Sequence, residues 1–198
     1  QKDFQRVREM GSATSRRDGE GGGGGDETCA KVDGGSKKSN GWKSLKEIKE
    51  YLRSEFEKKA ESWFKNRNAT YLHCAATLGD VDATKMLIED NADVNDVDKN
   101  NCTALHWATG HVDVAKVLLQ NGADANTVDK NNCTALQWAA EEGHVDVAKV
   151  LIQNGADVNA VDIDKKTALH LACMFGHADV ARVLLQNGFD VNAVDEEE

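Results

Sequence analysis

The sequence predicts an all-α solenoid of stacked helix–turn–helix units with hairpin-like loops, and three observations predict it. First, four similar blocks open with Thr70-Tyr71-Leu72-His73, Thr103-Ala104-Leu105-His106, Thr134-Ala135-Leu136-Gln137 and Thr167-Ala168-Leu169-His170. Their threonines stand 33, 31 and 33 residues apart, a period that marks repeat architectures. Second, each block holds two apolar runs at helical spacing, separated by a turn signal. Third, neither run reaches the roughly 12–15 residues that an isolated helix needs in water. Each must bury its apolar face on the next block, so the blocks stack.

The block from Thr134 to Asp162 gives the reasons element by element. Thr134 is placed to cap a helix start, its hydroxyl accepting a backbone N–H. Leu136, Ala139 and Ala140 form one apolar face, and Gly143 ends the helix because glycine enters the left-handed conformation without a Cβ penalty. Val147, Ala148, Leu151 and Ile152 form the face of a second helix, with Asp146 near its positive end. Gly155 ends that helix, and a polar turn follows at Ile163 to Lys166. Asp98, Asp129 and Asp162 open the loops, where an Asp side chain turns its own backbone.

The recurring pattern T-A-L-H-x-A followed by G-H-x-D-V-A-x-V-L-L-x-x-G-A-D-x-N is similar to the ankyrin repeat, in four copies from roughly Lys65 to Asp195. The resemblance implies a curved solenoid that binds other proteins through its loop tips and concave helix face. The sequence departs from the family pattern in four ways. No Pro follows the opening Thr of any copy, and the chain contains none. Gln137 stands where the family has His, which puts one bond between copies in doubt. Asn91 replaces a terminating Gly, and Asn also visits the left-handed region. The second copy reads HWATGH where the third reads QWAAEEGH; with two residues missing, its first helix is expected to be short or its turn distorted.

Upstream of the repeats, residues 42–66 read as one long amphipathic helix. Ser44 and Glu47 form a capping box. Leu45, Ile48, Leu52, Phe56, Trp63 and Phe64 recur at steps that build one stripe. Such a helix shields the open face of a first repeat; a short coiled coil and a partner or membrane-surface helix are the alternatives. Residues 1–41 are polar, with Gly21 to Gly25 unbroken, and read as a disordered tail. Within the tail, Met10-Gly11-Ser12-Ala13-Thr14-Ser15 fits the N-myristoylation pattern if Met10 is the first residue. Arg16, Arg17, Lys37 and Lys38 would then supply the electrostatic half of an anchor. Residues 67–198 are thus expected to be the repeat domain. In the fourth copy Leu171, Ala172, Val180, Val183 and Leu184 keep an interior pattern where an end repeat turns polar, so the array reads as cut from a longer one.

The net charge of −10 is unevenly spread. Residues 1–66 hold 15 Lys and Arg against 12 Asp and Glu, a net of +3, while residues 67–198 hold 9 against 22, a net of −13. An acidic array repels phosphate, so the expected partner is another protein with a basic surface and not a nucleic acid. Membrane association is expected only if Gly11 is acylated. The five cysteines (Cys29, Cys74, Cys102, Cys133 and Cys173) form no CxxC pair. They read as reduced thiols of a cytoplasmic protein, with nucleus or membrane periphery as alternatives. Cys102 and Cys133 hold equivalent positions in successive copies, where facing residues could approach. No apolar run is long enough to span a bilayer or to serve as a secretory core. The sequons at Asn68, Asn101 and Asn132 follow from the Thr that opens each copy.

No catalytic motif is present, and no cofactor or metal is expected. His73, His106 and His170 share one repeat position, and His111, His144 and His177 share another, which suits hydrogen bonds between copies better than chemistry. His106 and His111 are five apart and do not share a helical face, as a zinc pair requires. The expected activity is non-catalytic: a scaffold or adaptor binding its partner through loop tips Lys99, Asn100, Lys130, Asn131, Ile163, Asp164 and Lys166 and through first-helix ends Glu141, Glu142, Met174 and Phe175. Trp107 and Trp138 recur at core spacing and read as packing. The alternatives are a targeting fragment of a larger enzyme, such as a kinase or ubiquitin ligase, and a myristoylated membrane-tethered scaffold.

Overall fold

The computed structural model describes residues 44–54 and 70–188. The expected tail, and the expected long helix beyond residue 54, lie outside the described residues.

Helix α1 occupies residues 45–54. Its start follows the capping logic: Ser44 Oγ accepts from the Glu47 amide at 3.3 Å. Ile48 and Leu52, four apart and so on one face, are buried in the same core as Leu72 of the first copy. The copies follow as helix pairs: α2 Tyr71–Leu78 with α3 Val81–Glu89, α4 Ala104–Trp107 with α5 Val112–Gln120, α6 Ala135–Glu142 with α7 Val145–Gln153, and α8 Ala168–Met174 with α9 Ala178–Gln186. First helices pack on first helices, α2 on α4, α4 on α6 and α6 on α8. Second helices do the same, α3 on α5, α5 on α7 and α7 on α9.

The sequence dictates both ends of these helices. Each first helix starts at its Thr, held extended with φ between −85° and −90°. Helices α2 and α6 end on left-handed glycines, Gly79 at φ 69° and Gly143 at φ 79°. After α3, Asn91 takes φ 64° where Gly122 and Gly155 take 88° and 85°, so the replacement is accommodated as expected.

The missing pair of residues has the expected effect. Helix α4 is four residues long against eight for α6. It ends on Ala108 at φ −86°, and Gly110 is absent from the left-handed positions.

Between copies the chain makes hairpin loops, each closed by an antiparallel bridge: Val97 with Thr103, Val128 with Thr134 and Val161 with Thr167. The loop aspartates act as expected. Asp98 Oδ1 accepts from the Asn100 and Cys102 amides at 2.7 and 3.0 Å. Asp129 repeats this with Asn131 and Cys133, and Asp162 with Asp164 and Lys166.

Leu72, Leu105, Leu118, Leu136, Leu151 and Leu184 are the large side chains at the centre of the stack, all fully buried. Truncating such a leucine to Ala typically removes about 2–5 kcal/mol of stability. Leu171, Ala172, Val180, Val183 and Leu184 of the fourth copy are all buried. Among the described residues of the fourth copy, the exposed large apolar side chains are Met174, Phe175 and Leu185.

Candidate interaction surface

Three ladders of hydrogen bonds fix the stack and thereby the surface it presents. The first runs through the opening motifs. In copies 1, 2 and 4 the Thr amide donates to Nδ1 of the His three residues on, at 3.1 Å in each case. An Nδ1 that accepts carries no proton, so the neutral ring has its hydrogen on Nε2. That hydrogen points to the next copy: His73 Nε2 lies 2.9 Å from the Cys102 carbonyl, and His106 Nε2 lies 3.1 Å from that of Cys133. Burial pushes the pKa of both rings down, against the pull of these carbonyl bonds.

Gln137 corrects the expectation of a lost bond. Its Oε1 accepts from the Thr134 amide at 2.8 Å, and its Nε2 donates to the Lys166 carbonyl at 2.8 Å. A neutral amide has one acceptor and one donor end, so it replaces the neutral imidazole term for term.

The second ladder runs backwards along the chain. His111 Nε2 donates to the Thr77 carbonyl at 3.2 Å, and His177 Nε2 to that of Glu141 at 3.0 Å. Each ring fills the space over a left-handed glycine, Gly79 or Gly143. The shortened second copy breaks this series. His144 Nε2 stands instead 3.1 Å from Glu142 Oε2, and that oxygen accepts from the Thr109 hydroxyl at 3.1 Å. In copy 1 the equivalent residue is Asp80, which caps its own helix through the Ala83 amide at 2.9 Å.

The third ladder was missed at the sequence level, though the recurring A-D-x-N is its signal. Asn95 donates to the Gly122 carbonyl and accepts from the Asp124 amide, at 3.1 and 2.9 Å. Asn126 does the same to Gly155 and Asp157, at 3.0 and 2.7 Å. Loop tips are joined too, the Lys130 amide donating to the Asn100 carbonyl and the Ile163 amide to that of Asn131.

On this frame Lys99, Lys130, Asn131, Ile163, Asp164, Met174 and Phe175 are exposed, while Asn100, Glu141, Glu142 and Lys166 are half-buried. The Glu142 carboxylate serves the seam between copies 2 and 3. Trp138 is buried as expected, its indole N–H 3.3 Å from Asp129 Oδ2. Its ring meets Trp107 edge-on at 5.5 Å and His106 at 5.6 Å. Cys102 and Cys133 are both free thiols. Burial pushes the Cys74 thiol up to about 12, where it is no nucleophile.

Among the described residues no cluster of His, Cys, Asp and Glu could hold a metal ion. In the same residues no helix is long and apolar enough to cross a membrane. What the geometry offers is a rigid, ridged surface.

A family model for ankyrin repeats, in three copies, matches residues 39–129 and 116–195. The chain therefore belongs to the ankyrin repeat family, whose members in general bind other proteins. Comparison with curated proteins gives no match.

Proposed function

We propose that this chain is a non-catalytic scaffold or adaptor that holds a partner protein with a basic surface across its loop tips and first-helix ends. One observation carries the reading. Ile163, Met174 and Phe175 are large apolar side chains left 59%, 56% and 48% exposed, on the loop before α8 and at the end of α8 itself. Met174 and Phe175 are neighbours in the chain and exposed together, and adjoining apolar exposure marks contact sites. The equivalents of Met174 and Phe175 in copy 3 are Glu141 and Glu142, so an acidic step lies beside an apolar one. With a net of −13 over residues 67–198, the field favours a cationic partner and speeds its encounter. The three ladders keep the surface in place, so little entropy is lost on binding.

The test is affinity capture of the partner from native lysate, followed by binding measurements with variants. Met174→Ala/Phe175→Ala is expected to weaken binding at least tenfold, as for the central residues of an interface. Lys116→Ala/Lys149→Ala, on the exposed sides of α5 and α7, is expected to change it less than twofold. The reverse pattern would place the interface elsewhere.

A further inference from the structure

Four asparagines precede a glycine in this chain: Asn40, Asn121, Asn154 and Asn187. Asn40 lies outside the described residues, and Asn187 stands at their edge. Asn121 and Asn154 lie well inside them, each directly after the last residue of a second helix, α5 or α7.

The dipeptide has a chemistry of its own. A backbone amide nitrogen attacks the carboxamide carbon of an asparagine before it, and glycine, lacking a Cβ, leaves that approach open. Both pairs are exposed. A Cβ built on either glycine would meet nothing within 4 Å, so water reaches the reacting atoms.

Three sets of bonds hold those atoms apart in the closed fold. The carboxamide is turned back along its own helix: Asn121 Nδ2 donates to the Val117 carbonyl at 2.8 Å, and Asn154 Nδ2 to that of Val150 at 2.7 Å. The attacking nitrogen is engaged: the Gly122 amide donates to the Leu119 carbonyl at 3.1 Å, and the Gly155 amide to that of Ile152 at 3.0 Å. The glycine carbonyls are held by the preceding copy, accepting from Asn95 Nδ2 at 3.1 Å and from Asn126 Nδ2 at 3.0 Å. The backbone torsion acts in the same sense. Both asparagines hold ψ at 20°, which turns the glycine nitrogen toward their own backbone nitrogen and away from the side chain. Ring closure therefore needs the helix end to open and all three bonds to break. Exposed helix ends are where local opening requires least free energy.

We propose that Asn121 and Asn154 are sites of isoaspartate formation, gated by the opening of their helix ends, and that the loop asparagine of the preceding copy holds each gate shut. Asn95 guards Asn121, and Asn126 guards Asn154. In the opened state, solvent base takes the glycine amide proton and the nitrogen attacks Cγ. The Cγ–Nδ2 bond breaks, ammonia leaves with a proton from water, and a cyclic succinimide remains. Water then adds to one imide carbonyl and cleaves its C–N bond. Cleavage on the side-chain side gives aspartate, and on the main-chain side isoaspartate. No electrons are gained or lost: asparagine and water become a carboxylate and ammonium. Either product puts an anion at the negative end of the helix dipole, against the carbonyl that the carboxamide held. Isoaspartate also lengthens the main chain by a methylene, which shifts the glycine carbonyl from its asparagine. The modification thus undoes the ladder that delays it. None of this depends on what the loop tips bind.

The full chain is incubated at neutral pH and body temperature, digested and mapped by mass spectrometry with electron-transfer fragmentation, which separates isoaspartate from aspartate. Synthetic peptides of residues 116–126 and 149–159 give the unrestrained rates. Both sites of the folded chain are expected to convert about tenfold to a thousandfold more slowly than their peptides, as three modest hydrogen bonds allow. In urea they should reach the peptide rates. Asn95→Ala should speed Asn121 at least threefold and leave Asn154 unchanged; Asn126→Ala should speed Asn154 and leave Asn121 unchanged. Asn95→Asp keeps an acceptor for the Asp124 amide, loses only the donor to Gly122, and should speed Asn121 in the same way. Three results overturn the proposal: a folded-chain rate equal to that of the peptides, a rate below a thousandth of it, or variants that speed neither site or both alike.

Discussion

Gly143 and Gly155 both sit in the left-handed region, at φ 79° and 85°, yet the stack uses them differently. A Cβ on Gly155 meets nothing within 4 Å, whereas one on Gly143 falls 2.5 Å from His177 Nδ1. Gly155→Ala therefore carries only the backbone cost of a left-handed Ala, about 1–2 kcal/mol. Gly143→Ala adds the displacement of His177 and its bond to the Glu141 carbonyl, for about 2–4 kcal/mol in all. Urea unfolding of the two variants side by side checks the difference; equal losses would mean that the ring is not seated. The sequence makes both glycines legible as helix ends, because each follows an apolar run. It does not make the ring legible, since His177 lies 34 residues from Gly143 and only stacking brings them together. Gln137 shows the opposite case. Read against a family motif it is a defect, but its two polar ends restore what the imidazole does.

Helix α4 is where an element departs from its siblings. The two missing residues were legible in HWATGH against QWAAEEGH, and so was the short helix they imply. The repair was not. Without a full last turn the second copy lacks the left-handed glycine and the facing carbonyl over which His111 and His177 sit. His144 therefore turns to Glu142, which Thr109 also holds. Backbone acceptors cannot move, whereas a carboxylate must lose rotamer freedom to serve. Replacing Thr109 by Ala-Glu-Glu restores the length and pattern of the third copy. The variant is expected to gain roughly 1–2 kcal/mol, from a completed helix end and a backbone bond for His144. Far-UV circular dichroism should show added helix, and the urea midpoint should rise. A fall in the midpoint would mean that the shortened copy fits its neighbours better than a complete one. The described part of α1 was equally legible, from its Ser44 cap and its Ile48–Leu52 stripe.

At the scale of the whole stack, pH acts on the seams. In repeat arrays stability is roughly a sum of units and the interfaces between neighbours, and here the interfaces are lined with imidazoles. His73 bonds copy 1 to copy 2, His111 bonds the same two copies in the other direction, and His106 bonds copy 2 to copy 3. Burial holds the pKa of all three below the ordinary 6.5. Above that value the rings are neutral in the folded and the unfolded chain, and the seams are at full strength. As the pH falls below about 6.5 the unfolded chain takes up protons that the folded one refuses, so stability is lost. Each ring contributes a slope of at most about 1.4 kcal/mol per pH unit. Urea midpoints are expected to fall from pH 7.5 to pH 5.5. His106→Gln copies the arrangement already present at Gln137, keeps both hydrogen bonds and removes the proton site, so its midpoints should fall less steeply. The contacts proposed at Ile163, Met174 and Phe175 lie beyond these seams, so partner affinity through them should persist at a pH where the first two copies have begun to loosen. A wild type whose midpoint is flat across this range, or a variant as steep as the wild type, would show that the rings accept protons without leaving their carbonyls.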